Sequence, residues 1–135
     1  VSGHALSEHT ADLVLEAWGE GFDGAVSAAL PGLAEAVLGE APSPREPAAW
    51  HPVVSVAPEA ELAAVEILNE ALYRLVHHGE LPVAYRGGPG GGELGTAPLP
   101  EGLRPVREVK AVTYAEPRCG PAGGGRWELR VTLDL

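Results

Sequence analysis

The stretch from Glu59 to His78 constrains this chain most. Leu62, Val65, Ile67, Leu68, Leu72, Leu75 and Val76 recur there at helical spacing and share one broad apolar face. Such a helix is stable in water chiefly when a second layer covers that face. Pro58 suits its first turn and Gly79 closes it, because glycine adopts the left-handed conformation that ends many helices.

The flanking segments supply that second layer. Asp12 to Trp18 mixes aliphatic, β-branched and aromatic residues before Gly19 and Gly21 and predicts a strand. Phe22, Val26, Leu30, Leu33 and Val37 then return to helical spacing over Phe22 to Leu38. Asp23 near the start favours the helix dipole, and Gly39 is a natural stop. Pro31 inside this helix predicts a kink or a break. Ala41 to Pro47 is a short Pro-rich linker, while Trp50 to Ala57 and Leu81 to Arg86 predict strands. Val106 to Glu116 and Trp127 to Leu135 alternate well and predict a hairpin around a loose Gly/Pro turn at Pro117 to Gly125. The order is strand, helix, strand, helix, then several strands. It predicts a single α+β domain over residues 1–135, with a largely antiparallel or mixed β-sheet and two main helices packed on one face.

The 135 residues are enough to bury a real core, and 45% of them are hydrophobic. No apolar run approaches the roughly 20 residues that a membrane helix needs. Val1 to Thr10 shows no basic region followed by an apolar stretch, so no secretory signal is expected and the cytoplasm is the simplest location. The single cysteine, Cys119, has no second thiol for a disulfide, a zinc cluster or a redox pair. A net charge of -10 repels a phosphate backbone, so direct nucleic-acid binding by this chain alone is not expected. The same charge suits a basic protein partner or hard metal ions, or simply keeps the protein soluble. There is no Met or Gln, and Asn69, Ile67, Phe22 and Lys110 are each the sole residue of their kind. In a composition so biased, a lone Asn or Lys can mark a position that no commoner residue fills.

Two carboxylates stand out by position. Asp12 precedes the first predicted strand and Asp134 ends the last one. If those strands are antiparallel neighbours, the two ends meet. With backbone carbonyls and the terminal carboxylate of Leu135 they then form an oxygen-rich site suited to Ca²⁺, Mg²⁺ or Mn²⁺ rather than zinc. The alternative is that each is an ordinary solvated strand-end residue. His4, His9, His51, His77 and His78 form no zinc pattern, although His9, beside Thr10, is placed to orient the Asp12 loop. Neither Ser7, Ser27, Ser43, Ser55 nor Cys119 lies in an elbow-like context for nucleophilic catalysis. Gly87 to Gly92 is glycine-rich, but Glu93-Leu94-Gly95 follows where a phosphate loop needs Lys-Ser/Thr and a helix. A flexible hairpin tip is expected there. Lys110, mid-strand between Val109 and Ala111, either faces water or reaches a phosphate or a partner carboxylate as a point charge.

Four segments together resemble the archease family. They are Glu8-His9-Thr10-Ala11-Asp12 opening a strand that ends in Ala17-Trp18-Gly19; Leu68-Asn69-Glu70-Ala71-Leu72-Tyr73; Glu108-Val109-Lys110-Ala111-Val112-Thr113-Tyr114; and Trp127-Glu128-Leu129 through Leu133-Asp134-Leu135. They occur in the family's order and span nearly the whole chain. The resemblance implies a non-enzymatic activator of the GTP-dependent RtcB-type RNA ligase, which joins 2′,3′-cyclic phosphate or 3′-phosphate RNA ends to 5′-hydroxyl ends in tRNA splicing and RNA repair. An archease promotes guanylylation of the ligase and its multiple turnover. By motif, Asp12 and Asp134 take the place of the family's metal-binding aspartates, Leu135 completes the metal shell, and Lys110 matches its functionally essential lysine. A general chaperone-like adaptor with incidental metal binding is the alternative. The chain departs from the family pattern at Ala115, where His is usual, at Pro31, and at the shortened Gly87 to Pro105 region.

Overall fold

The computed structural model describes residues 1–9 and 12–135, with the side chain of His9 outside that description. The elements run β1 (Gly3–His9), β2 (Asp12–Glu20), α1 (Gly21–Leu38), β3 (Ala49–Val54), α2 (Ala60–His78), β4 (Glu80–Arg86), β5 (Gly91–Pro98), β6 (Ala111–Val112), β7 (Arg118–Gly123) and β8 (Arg126–Asp134). The α+β class and the two helices are as expected, and every strand pair is antiparallel. The strands divide into two sheets rather than one. The larger has the order β1-β2-β8-β6 with β7 also on β8, and the smaller the order β3-β5-β4. Among the described residues no helix is long and apolar enough to cross a membrane.

Both helices pack on one face of the larger sheet, and the smaller sheet contacts both through β4. In β2 and β8, Leu13, Leu15, Ala17, Leu129, Val131 and Leu133 alternate inward and are buried. Glu16, Glu20, Arg126, Glu128 and Arg130 point to the opposite, solvated face. Leu30, Leu33, Ile67, Leu68 and Leu75 are fully buried between the layers. Gly39 and Gly79 cap the two helices in the left-handed conformation, with φ of 82° and 63°.

Pro31 does not end α1, which runs unbroken from Gly21 to Leu38. The carbonyl that loses its donor belongs to Ser27, and Ser27, Ala28 and Pro31 line an open cleft where water can serve it. Ala29, Leu30, Leu33 and Ala34, all fully buried, hold the helix on its other sides. The expected strand over Val106 to Glu116 contracts to Ala111–Val112. The Val106 and Arg107 amides instead donate to the Val37 carbonyl at the end of α1, an acceptor that a helix terminus leaves unpaired. Glu116, at φ 47°, and Pro117 turn the chain at the other end.

The glycine-rich connection between β4 and β5 is a hairpin tip, but a tethered one. The Gly87 and Gly88 amides donate to the Asp23 carboxylate at 3.0 and 2.9 Å. A phosphate-like cradle of amides is thus filled by the protein's own anion. A polar clip joins the smaller sheet to α2. Glu80 accepts from Arg74 at 2.9 Å, lies 3.2 Å from His51, and accepts from the Thr96 hydroxyl at 3.3 Å. Burial alone raises the Glu80 carboxyl, but Arg74, His51 and Thr96 outweigh it and hold its pKa below the ordinary 4.5.

A carboxyl held low in the fold stabilises above its unfolded pKa, and the contribution is lost as pH falls through the folded value. Glu80→Gln is therefore expected to cost about 1 kcal/mol at pH 7. In urea melts the gap to the parent should close as pH drops below 4.5. A gap that stays constant down to pH 3 would contradict this account of the clip.

Candidate functional site

The condition on which the two aspartates meet is fulfilled, with β2 as the strand in question. In the β2–β8 register Asp12 lies directly opposite Asp134. Directly opposed residues point to one face with their Cβ atoms about 5 Å apart. Asp12 also pairs with His9 in β1, and Asp134 with Ala111 in β6. One cross-strand row at the end of the larger sheet thus carries both carboxylates. Both residues are half-buried. No described side chain forms an ion pair with either carboxylate. The suggested support from His9 falls on a side chain outside the described residues, as do Thr10 and Ala11 of the same motif.

Lys110 reaches this row through its backbone. Its N–H donates to the Asp134 carbonyl at 2.7 Å, so Lys110 and Ala111 both address one residue of β8. The Lys110 side chain is exposed and borders a cavity of about 140 Å³ with Leu72, Tyr73, Val76 and His77 of α2. Leu135 is half-buried and packs against the core, which fixes the chain just beyond Asp134. The structure therefore brings together Asp12, Asp134, Leu135 and the backbone of Lys110, drawn from both ends of the chain.

Two contributions were not evident from spacing. Asn69 of α2 bonds both the N–H and the C=O of Val112 at 2.9 Å, two residues from Lys110. Its rarity in the composition and its place in the Leu68 to Tyr73 segment were the signals in the sequence. Beyond it, Tyr73 and Tyr114, 50% and 60% exposed, line a groove of about 510 Å³ with Val54, Glu66 and Glu70.

The remaining candidates lie elsewhere. His4 pairs with Glu35 at 2.8 Å, His51 belongs to the Glu80 clip, and His77 and His78 stack around Tyr73. Among the described residues no group of three or more His, Cys, Asp or Glu is arranged to hold a metal ion. Cys119 is buried, and burial together with the nearby Glu61 pushes its thiol up to about 12. That leaves almost no thiolate at neutral pH.

Like charges placed directly across two strands destabilise them. In a low-salt buffer with chelator, Asp134→Asn should stabilise the fold by about 0.5 kcal/mol, read from the urea midpoint. A variant less stable than the parent would show that the two carboxylates do not repel one another as the register implies.

Comparison with known proteins bears on the chain as a whole. No curated protein matches it. Among solved structures it resembles the solution structure of Methanobacterium thermoautotrophicum protein 1598, with a TM-score of 0.66 and 23% identity over 98% of this chain and 99% of that one. At that identity the likeness speaks for the fold. The sequence model described as "Archease protein family (MTH1598/TM1083)" matches residues 4–135. That match spans all four recognised segments, and the chain belongs to the archease family.

Proposed function

We propose that this protein is a non-enzymatic activating partner of a GTP-dependent RtcB-type RNA ligase in the cytoplasm, promoting guanylylation and multiple turnover of the ligase. The observation that carries this function is the convergence of Asp12, Asp134 and the Lys110 backbone at one end of the larger sheet. Membership of the archease family supports it.

The donor set fits a hard divalent cation. Two carboxylates face each other with no described cation against them, and the available protein ligands are all oxygens. Asp12 and Asp134 would hold Ca²⁺, Mg²⁺ or Mn²⁺, with main-chain oxygens of Leu135 as further donors. Once bound, such an ion neutralises the pair and offers its open positions to phosphate oxygens.

The protein's own residues do the rest. Lys110, tied to Asp134 through its backbone and with an exposed side chain, would supply a positive point charge suited to a nucleotide phosphate or a partner carboxylate. The net charge of -10 disfavours contact with RNA and favours a basic protein surface. With Cys119 buried, and with no cationic cluster beside the carboxylates among the described residues, hydrolytic chemistry finds little to work with.

One observation favours a second reading. Val54, Tyr73 and Tyr114 are exposed along one groove, which suits a protein-interaction adaptor in which metal is incidental.

Guanylylation of the cognate ligase under multiple turnover separates the two. Wild type is expected to stimulate it, with Asp12→Ala and Lys110→Ala each losing on the order of tenfold or more of that effect while keeping the fold by circular dichroism. Full stimulation by both folded variants would move the function to the adaptor groove.

A further inference from the structure

Asn69 is the sole asparagine of the chain, and its amide is fully committed. Its Nδ2 donates to the Val65 carbonyl one turn back in α2 at 3.1 Å and to the Val112 carbonyl at 2.9 Å. Its Oδ1 accepts from the Val112 N–H at 2.9 Å. Two acceptors on one side and a donor on the other fix the amide's orientation. Ser and Thr are too short to span both Val112 groups, and Asp would turn an oxygen toward two carbonyls.

What Asn69 holds is a weak element. The β6 strand is two residues long and pairs with β8 through Ala111 and Val112. The amides of Lys110 and Thr113 bond to Asp134 and Thr132 of β8, while both polar groups of Val112 turn to Asn69. Asn69 therefore takes the place of a further strand at this edge of the sheet. Upstream, the nearest main-chain anchor is the pair of amides at Val106 and Arg107 on the Val37 carbonyl. Downstream, Tyr114, Ala115 and Glu116 are exposed.

We infer that Asn69 is the positioning residue for Lys110. It sets the 110–113 segment against β8, and so fixes where the lysine stands relative to the Asp12–Asp134 row. This role rests on the proposed activator function, because it acts through Lys110. Without the amide, both polar groups of Val112 lose their partner, and the two-residue strand is left with its β8 contacts alone. Displacement of a positioned group by about an ångström can cost on the order of a hundredfold in rate.

Two variants test this, Asn69→Ala and the isosteric Asn69→Asp, which preserves packing if alanine disturbs it. Amide hydrogen exchange on the isolated protein comes first. Asn69→Ala should speed exchange at Val112 and Thr113 by about tenfold or more, and Asn69→Asp, whose carboxylate still accepts from the Val112 N–H, should speed it at Thr113, with the buried α1 amides unchanged in both. The ligase assay follows. Maximal stimulation should fall about tenfold, with little change in the protein concentration giving half of it, because a misplaced lysine impairs the bound state rather than docking. Unchanged exchange at Val112 and Thr113 overturns the clamp. Faster exchange with full maximal stimulation overturns the positioning role alone. A wild type that fails to stimulate removes the activator function, and this role with it.

Discussion

The pairing of β2 with β8 is the constraint on which the rest depends. Nine consecutive residues of each strand are in register, from Asp12 opposite Asp134 to Glu20 opposite Arg126. This ladder joins the beginning of the chain to its end. Its inward residues Leu13, Leu15, Leu129, Val131 and Leu133 form the floor under α1, while α2 meets the same sheet at β6 and β7. A slip of one residue would turn that floor to the solvent. The same register that keeps the core dry therefore sets the two aspartates face to face, so the site is fixed by the burial of apolar residues that have no part in its chemistry.

The facing carboxylates carry a cost that the core has to offset. Like charges across a strand pair oppose folding, and hydrophobic burial under β2 and β8 exceeds that opposition many times over. In the proposed function a bound cation or a cationic partner would relieve that opposition. Lys110 enters from a different part of the chain, through a strand of two residues, and is exposed. The rigid aspartate row and the weakly held lysine strand differ in how much structure supports them, and Asn69 narrows that difference.

Much of this was legible in the sequence because the signals were local and periodic. Both helices and both glycine caps follow from apolar spacing, and β2 and β8 follow from alternation. The approach of Asp12 to Asp134 followed as soon as those strands were taken as antiparallel neighbours. Other elements were hidden for physical reasons. The β1 strand offers Leu6 as its only large apolar residue, since it lies at the sheet edge. The β5 strand reads as a loop because it holds three glycines. One of them, Gly95, is required there, since a Cβ would stand 2.9 Å from Pro47 and 3.0 Å from the Trp50 ring. Pro31 reads as a breaker because propensity does not register the packing around α1. The part of Asn69 depends on a contact 43 residues away in sequence, which no local pattern encodes.

The proposed activator role requires the ligase to meet the end of the larger sheet that bears Asp12, Asp134 and Lys110. Its most direct test is a ¹H–¹⁵N titration of the labelled protein with unlabelled ligase. Signal loss and shift changes should concentrate at Asp12, Lys110 to Thr113 and Asp134, and weaken when the ligase nucleotide site is already guanylylated. Changes confined to the opposite end of the same ladder, around Glu20 and Arg126, would contradict it.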